Sequence, residues 1–202
     1  SLQQRGHRRR GRALDDELAP LHDPDHRVED LAVRERDDVV DEALDDGEIQ
    51  LAAAPDAQIV HGQTACNISL NDLADRAPLA VADGELITSG RRRIRYIDTP
   101  HVPHSWESGV IYEETSNILF CGDLFTQPGH SEKALVDTDI LGPSEAFRQQ
   151  MDYYAHAPQS AAMLAGLAQQ APRTLACMHG SAWQGDGAAL LGQLSDALSA
   201  AH

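Results

Sequence analysis

From residue 51 onward, apolar residues arrive in short clusters parted by turn-forming residues, and the clusters change between strand-like and helix-like spacing. Leu51–Ala54, closed by Pro55, reads as the last turn of a helix, because proline drives the residue before it out of helical geometry. Gln58–His61 reads as a short strand and Ile68–Ala74 as a short helix. Arg91–Asp98 is strand-like: Ile94 and Tyr96 alternate with Arg93 and Arg95 until Ile97 breaks the phase. Gly109–Glu114 and Asn117–Gly122 are β-rich runs around Thr115-Ser116, which predicts a hairpin. Ser144 is placed to cap a helix running to about Ala155, with Glu145 in its first turn. Ser160–Gln170 predicts a second helix, Thr174–Met178 a buried strand and Gly187–Ala201 a closing helix. The expected class is α/β (α+β).

Composition divides the chain near Gln50. Residues 1–50 hold 8 Arg and 15 Asp/Glu and no aromatic residue, whereas all nine aromatics lie beyond. A segment with nearly half its positions charged has little apolar area to offset its ordering entropy, so residues 1–50 are expected to form a solvated tail. Only Glu29–Leu44 offers part of an apolar helix face, and residues 51–202 are expected to form the packed domain. The whole chain carries a formal charge of −16, which argues against nucleic acid and anionic lipid as partners. No apolar run is long enough for a membrane span, and Arg8-Arg9-Arg10 is followed by no signal-like apolar stretch. Three cysteines, Cys66, Cys121 and Cys177, are too few and too scattered for a disulfide framework, so a reducing cytoplasm is expected. Arg91-Arg92-Arg93 is the one basic cluster beyond residue 50 and reads as a solvated turn entering a strand.

Candidate chemistry collects where strand-like runs end. Tyr96-Ile97-Asp98 leads into Thr99-Pro100-His101-Val102-Pro103-His104-Ser105-Trp106-Glu107. Ile118-Leu119-Phe120-Cys121-Gly122 ends at Asp123, and Thr174-Leu175-Ala176-Cys177-Met178 ends at His179. In open α/β sheets the carboxyl ends of strands form the ligand crevice. Two imidazoles and a carboxylate meeting there make a nitrogen–oxygen metal site suited to zinc or iron. Taken singly, each residue is also explained as a surface histidine or a turn aspartate. Cys121 and Cys177 lie in apolar runs, where a small buried hydrophobe is the simpler role than a reactive thiol.

The run YIDTPHVPHSWESGVIYEETSNILFCGDLF, followed by TLACMHGS, resembles the metallo-β-lactamase superfamily, and within it the oxygen-reducing di-iron branch related to flavodiiron proteins. The resemblance covers about residues 51–202. It implies an αββα sandwich with two divalent metals, iron or zinc, at one edge. By that resemblance His104 binds one metal, Asp123 bridges both as the catalytic carboxylate, and His179 binds the other. His101 is the alternative to His104, since other branches place a histidine directly after Thr-Pro. Glu107 is expected to orient the loop, His130 and Glu132 to lie in a solvated loop over the site, and His61 to be structural.

The superfamily's upstream signature, His-x-His-x-Asp-His, or His-x-Glu-x-Asp in the di-iron branch, has no counterpart here. The nearest string, Leu21-His22-Asp23-Pro24-Asp25-His26, puts Leu21 where the first ligand belongs. The sandwich is therefore expected to be incomplete at its amino-terminal sheet, with incomplete metal occupancy and an apolar face that favours a homodimer. An altered reading frame over residues 1–50 accounts for the composition, and the nucleotide sequence tests it. Three functions compete: a metallo-hydrolase acting on a small-molecule substrate, a di-iron reducer of oxygen or nitric oxide fed by a redox partner, and a non-catalytic scaffold or oligomerising module. No flavin module is expected after the metal-site half.

Overall fold

The computed structural model describes residue 54 and residues 56–129 and 133–200. The charged segment 1–50, with the apolar helix face expected at Glu29–Leu44 and the Leu21–His26 string, most of the helix end expected at Leu51–Pro55, His130 and Glu132 lie outside these residues.

Nine strands are present among the described residues: β1 (Val60–Gly62), β2 (Leu79–Val81), β3 (Leu86–Ser89), β4 (Arg92–Asp98), β5 (Gly109–Glu113), β6 (Ile118–Phe120), β7 (Leu135–Val136), β8 (Thr174–Ala176) and β9 (Ala182–Gln184). The helical segment α1 joins Gln63–Ala65, a π-helical turn Cys66–Leu70, and Asn71–Leu73; α2 is Leu141–Met151, α3 Ser160–Gln169 and α4 Gly187–Ala200. Seven strands form one mixed sheet in the order β3-β4-β5-β6-β8-β9-β7, while β1 and β2 pair in parallel as a separate sheet.

Side-chain alternation decides what each face meets. On β5, Val110 and Tyr112 point into the main core with Leu119 of β6 and Leu175 of β8, and the helices close that core with Leu141 of α2, Leu164 and Leu167 of α3 and Leu191 and Leu194 of α4, together with Ile140 just before α2. Ile111, between Val110 and Tyr112, joins a second cluster in which Val60, Leu79 and Val81 of the small sheet pack against Ile87 and Tyr96. Helices therefore cover one face of the large sheet and the small sheet covers part of the other, in keeping with the sandwich that the resemblance implies. Among the described residues the second sheet has only β1 and β2. Phe120, pointing away from the helices, is 44% exposed.

Several boundaries differ from expectation for identifiable reasons. Ser144 is not the cap of α2: the helix begins a turn earlier at Leu141, and Ser144 is fully buried inside it. Asp139 accepts the Gly142 N–H at 3.0 Å, and Pro143, which has no N–H to leave unpaired, sits in the first turn. The helix ends at Met151 rather than near Ala155, where Asp152 turns left-handed at φ 46°. The helix expected at Ile68–Ala74 already starts at Gln63, and β1 starts two residues and ends one residue later than Gln58–His61. The arginine cluster is the exposed turn entering a strand that the sequence suggests, and it is also paired. Arg92 pairs with Glu113 at 3.1 Å and Arg93 with Glu114 at 2.9 Å, and Arg95 also pairs with Glu114, tying β4 to β5.

Candidate metal centre

Strand direction explains why distant residues meet. β4 and β5 are antiparallel, β5 and β6 are antiparallel, and β6 and β8 are parallel, so β4, β6 and β8 all leave the sheet at the same edge. The loops carrying His104, Asp123 and His179 follow these three strands.

The β4–β5 loop is held from below. Thr99, with no exposed surface, donates its hydroxyl to Val102 O at 3.0 Å, Ser108 Oγ donates to the same carbonyl at 3.0 Å, and the Val102 side chain is buried in the main core. His101 N–H bonds Ser105 O at 2.7 Å, with both residues at positive φ (67° and 65°). This fold-back directs His104 toward Asp123, while His101 stays exposed on the outside. After β6, Gly122 takes φ 53°, the buried Leu124 and Phe125 anchor the next turn, and Asp123 is left at the rim. Its carbonyl accepts Thr126 Oγ1 at 2.8 Å and the Tyr153 hydroxyl at 3.2 Å. After β8, Gln127 N–H bonds His179 O at 3.0 Å, and Gly180 is at φ 100° where a Cβ would stand 2.6 Å from Gln127 Cβ. Glycine is required at that position.

His104 Nε2 lies 3.0 Å from Asp123 Oδ2, and His179 Nε2 lies 3.3 Å from Asp123 Oδ1. Each imidazole thus addresses a different oxygen of one carboxylate. The Oδ1 atom is buried without a hydrogen-bond partner, an arrangement that a cation would relieve. Two donors of a tetrahedral metal bound at 2.0–2.1 Å stand about 3.3 Å apart, so the observed separations suit metal ligation. The count of donors falls short, however. Among the described residues no group of three or more His, Cys, Asp or Glu closes into a cage for one ion.

Asp123 borders two hollows. One, of about 520 Å³, is lined by Thr126, Phe147, Tyr153, Met178 and His179; the other, of about 250 Å³, by His61, His104, Glu107, Cys121 and Met178. Burial pushes the Tyr153 phenol up. His61, expected to be purely structural, stands in the second hollow. Its Nδ1 accepts the Gly62 N–H at 2.8 Å, and burial lowers its pKa against the opposing pull of Asp98 and Glu107. In the sequence His61 closes the expected strand Gln58–His61, whereas the structure puts it inside β1. Beneath the site, Cys121 Sγ is 3.9 Å from Cys177 Sγ, a proximity that their separate apolar runs did not disclose.

No protein-family model matches the chain, and no curated protein sequence matches it. Solved structures do. The rubredoxin oxygen:oxidoreductase from the anaerobe Desulfovibrio gigas aligns with TM-score 0.62 at 17% identity, over 74% of this chain and 40% of that one. The flavodiiron protein from Giardia intestinalis aligns with TM-score 0.58 at 20% identity, over 76% and 39%. The apo chemotaxis sensor ODP from T. denticola aligns with TM-score 0.54 at 18% identity, over 68% and 57%. The fold is of the metallo-β-lactamase type. Within that class it is the fold of the flavodiiron core. The chain spans about two fifths of the length of the flavodiiron structures it matches. Among the described residues no helix is long and apolar enough to cross a membrane.

Proposed function

We propose that this chain is a di-iron protein that binds and reduces dioxygen or nitric oxide. The observation that carries the reading is the carboxylate of Asp123, addressed on separate oxygens by His104 Nε2 and His179 Nε2. In this reading His104, Asp123 and His179 would be the residues of this chain that hold the iron, with Asp123 between the two imidazoles. The likeness to flavodiiron folds favours iron over zinc and redox chemistry over hydrolysis. Bound iron would supply the electron exchange with the diatomic substrate.

The chain's own residues do the rest. The Asp123 carboxylate offsets cationic charge at the loop rim, and Tyr153 and Thr126 hold its backbone in place from below. The two hollows give a small substrate access from either side of Asp123. Electrons come from a redox partner, and the exposed Phe120 on the open sheet face fits contact with a second copy of the chain.

The test is anaerobic loading of the full chain with ferrous iron, followed by metal analysis and iron spectroscopy. Two irons per chain are expected, with binding lost in Asp123→Ala and weakened in His104→Ala and His179→Ala. A folded full chain that retains no iron rejects the reading. That outcome supports a non-catalytic scaffold, which the short count of donors favours.

A further inference from the structure

We propose that Cys121 and Cys177 form a peroxide-reactive dithiol that closes into a disulfide beneath the Asp123 and His179 loops. The parallel register of β6 and β8 pairs Phe120 with Ala176, so the next residue of each strand, a cysteine in both, stands beside the other. Cys121 N–H bonds Ala176 O at 3.1 Å, and the sulfurs are 3.9 Å apart. Adjacent strands stand about 4.8 Å apart, inside the roughly 4.4–6.8 Å between Cα atoms that a disulfide spans. Side-chain rotation closes the remaining gap. Cys66 belongs to another part of the fold, buried in α1 with its sulfur 3.6 Å from His61 O, and serves as an internal control.

The two thiols differ in access. Cys121 is fully buried and Cys177 is partly exposed, so Cys177 meets the oxidant first. Its sulfur attacks one oxygen of hydrogen peroxide and the O–O bond breaks. Cys177 becomes a sulfenic acid, and the other oxygen leaves as water with the thiol proton. The Cys121 sulfur then attacks the Cys177 sulfur, the S–O bond breaks, and the departing hydroxyl takes the Cys121 proton as a second water. Two thiols have lost two electrons and two protons, and one peroxide has become two waters. A resolving thiol in van der Waals contact intercepts the sulfenic acid before further oxidation. The new bond joins positions two residues ahead of Asp123 and His179, and its chemistry requires no metal.

The experiment uses the full chain, reduced with dithiothreitol, desalted into a buffer with chelator, and exposed to a modest molar excess of hydrogen peroxide. The expected result is a fall from three free thiols to one, a peptide linking Cys121 to Cys177, and recovery of all three thiols with dithiothreitol. Cys66→Ala should still form the link, and Cys177→Ala should leave Cys121 reduced. Retention of three thiols, a link through Cys66 or between chains, or a Cys177 sulfinic acid beside a free Cys121 each overturns the proposal. If Cys177→Ala fails to fold by circular dichroism, the thiol count and linked peptide of the unsubstituted chain decide alone.

Discussion

The hydroxyl of Tyr153 donates to the main-chain carbonyl of Asp123 at 3.2 Å, so the residue just beyond α2 is tied to the loop that presents the central carboxylate. The tie acts on the backbone and leaves both carboxylate oxygens free for the two imidazoles. Tyr153→Phe should keep the ring packing, lower stability by about 1 kcal/mol, and weaken iron binding by up to about tenfold. Thermal unfolding and iron titration check the two effects separately.

His101 and His104 should respond in opposite ways. His101 occupies φ 67°, so asparagine, which tolerates left-handed backbone, is the suitable replacement. His101→Asn should retain metal binding, whereas His104→Ala should lose at least one iron per chain. Parallel metal analysis of the two variants tells whether the outward and inward histidines are correctly distinguished.

Gly180 allows the chain to pass Gln127 directly after His179. Gly180→Ala meets both positive φ and a Cβ 2.6 Å from Gln127 Cβ. The expected cost is about 1–3 kcal/mol, with His179 displaced from Asp123. A lower unfolding midpoint together with weaker iron binding is the predicted pair of effects, and an unchanged midpoint would show that the loop relaxes freely.

Acid should weaken the β4–β5–β6 region through Glu113. Burial alone would raise this carboxyl, but hydrogen bonds from the Thr115 and Ser116 N–H groups hold it at about 2, against an ordinary value of 4.5. A depressed folded pKa contributes stability that is fully present above 4.5 and is lost as pH falls toward 2. Glu113→Gln should therefore flatten the stability profile over that window and cost about 1–3 kcal/mol near neutral pH. Urea unfolding across pH 2–7 measures both, and an unchanged acid slope would place the protonation elsewhere.

The long, strongly patterned pieces were legible in the sequence: β4, the β5–β6 hairpin, α3 and α4 fall where periodicity puts them. Of the shorter strands, β1, β6 and β8 were expected, and β2, β7 and β9 were not. β2, β7 and β9 carry no period of their own and exist because distant partners supply their hydrogen bonds, as when Leu135 pairs with Ala182. β3, which the pattern reading omits, carries its own signal in Leu86 and Ile87 ahead of the Gly90 turn. At α2, Ser144 imitated a cap because a serine followed by an acid is a local signal, whereas Asp139 and the burial of Ser144 are set by the fold. Asp123 and His179 stood out as polar residues ending apolar runs. The choice of His104 over His101 depends on the fold-back of residues 99–108, and the Cys121–Cys177 contact on strand register, neither of which a linear pattern contains.

The common exit edge of β4, β6 and β8 also defines what the opposite edge is good for. There β3 turns into β4 at Gly90-Arg91 and β5 into β6 at Thr115-Ser116, and the connections from α3 into β8 and from β9 into α4 also lie there. A fluorophore or affinity handle grafted at Gly90-Arg91 leaves the chemistry at the far rim undisturbed, so loading and oxidation can be followed by light on an otherwise native chain.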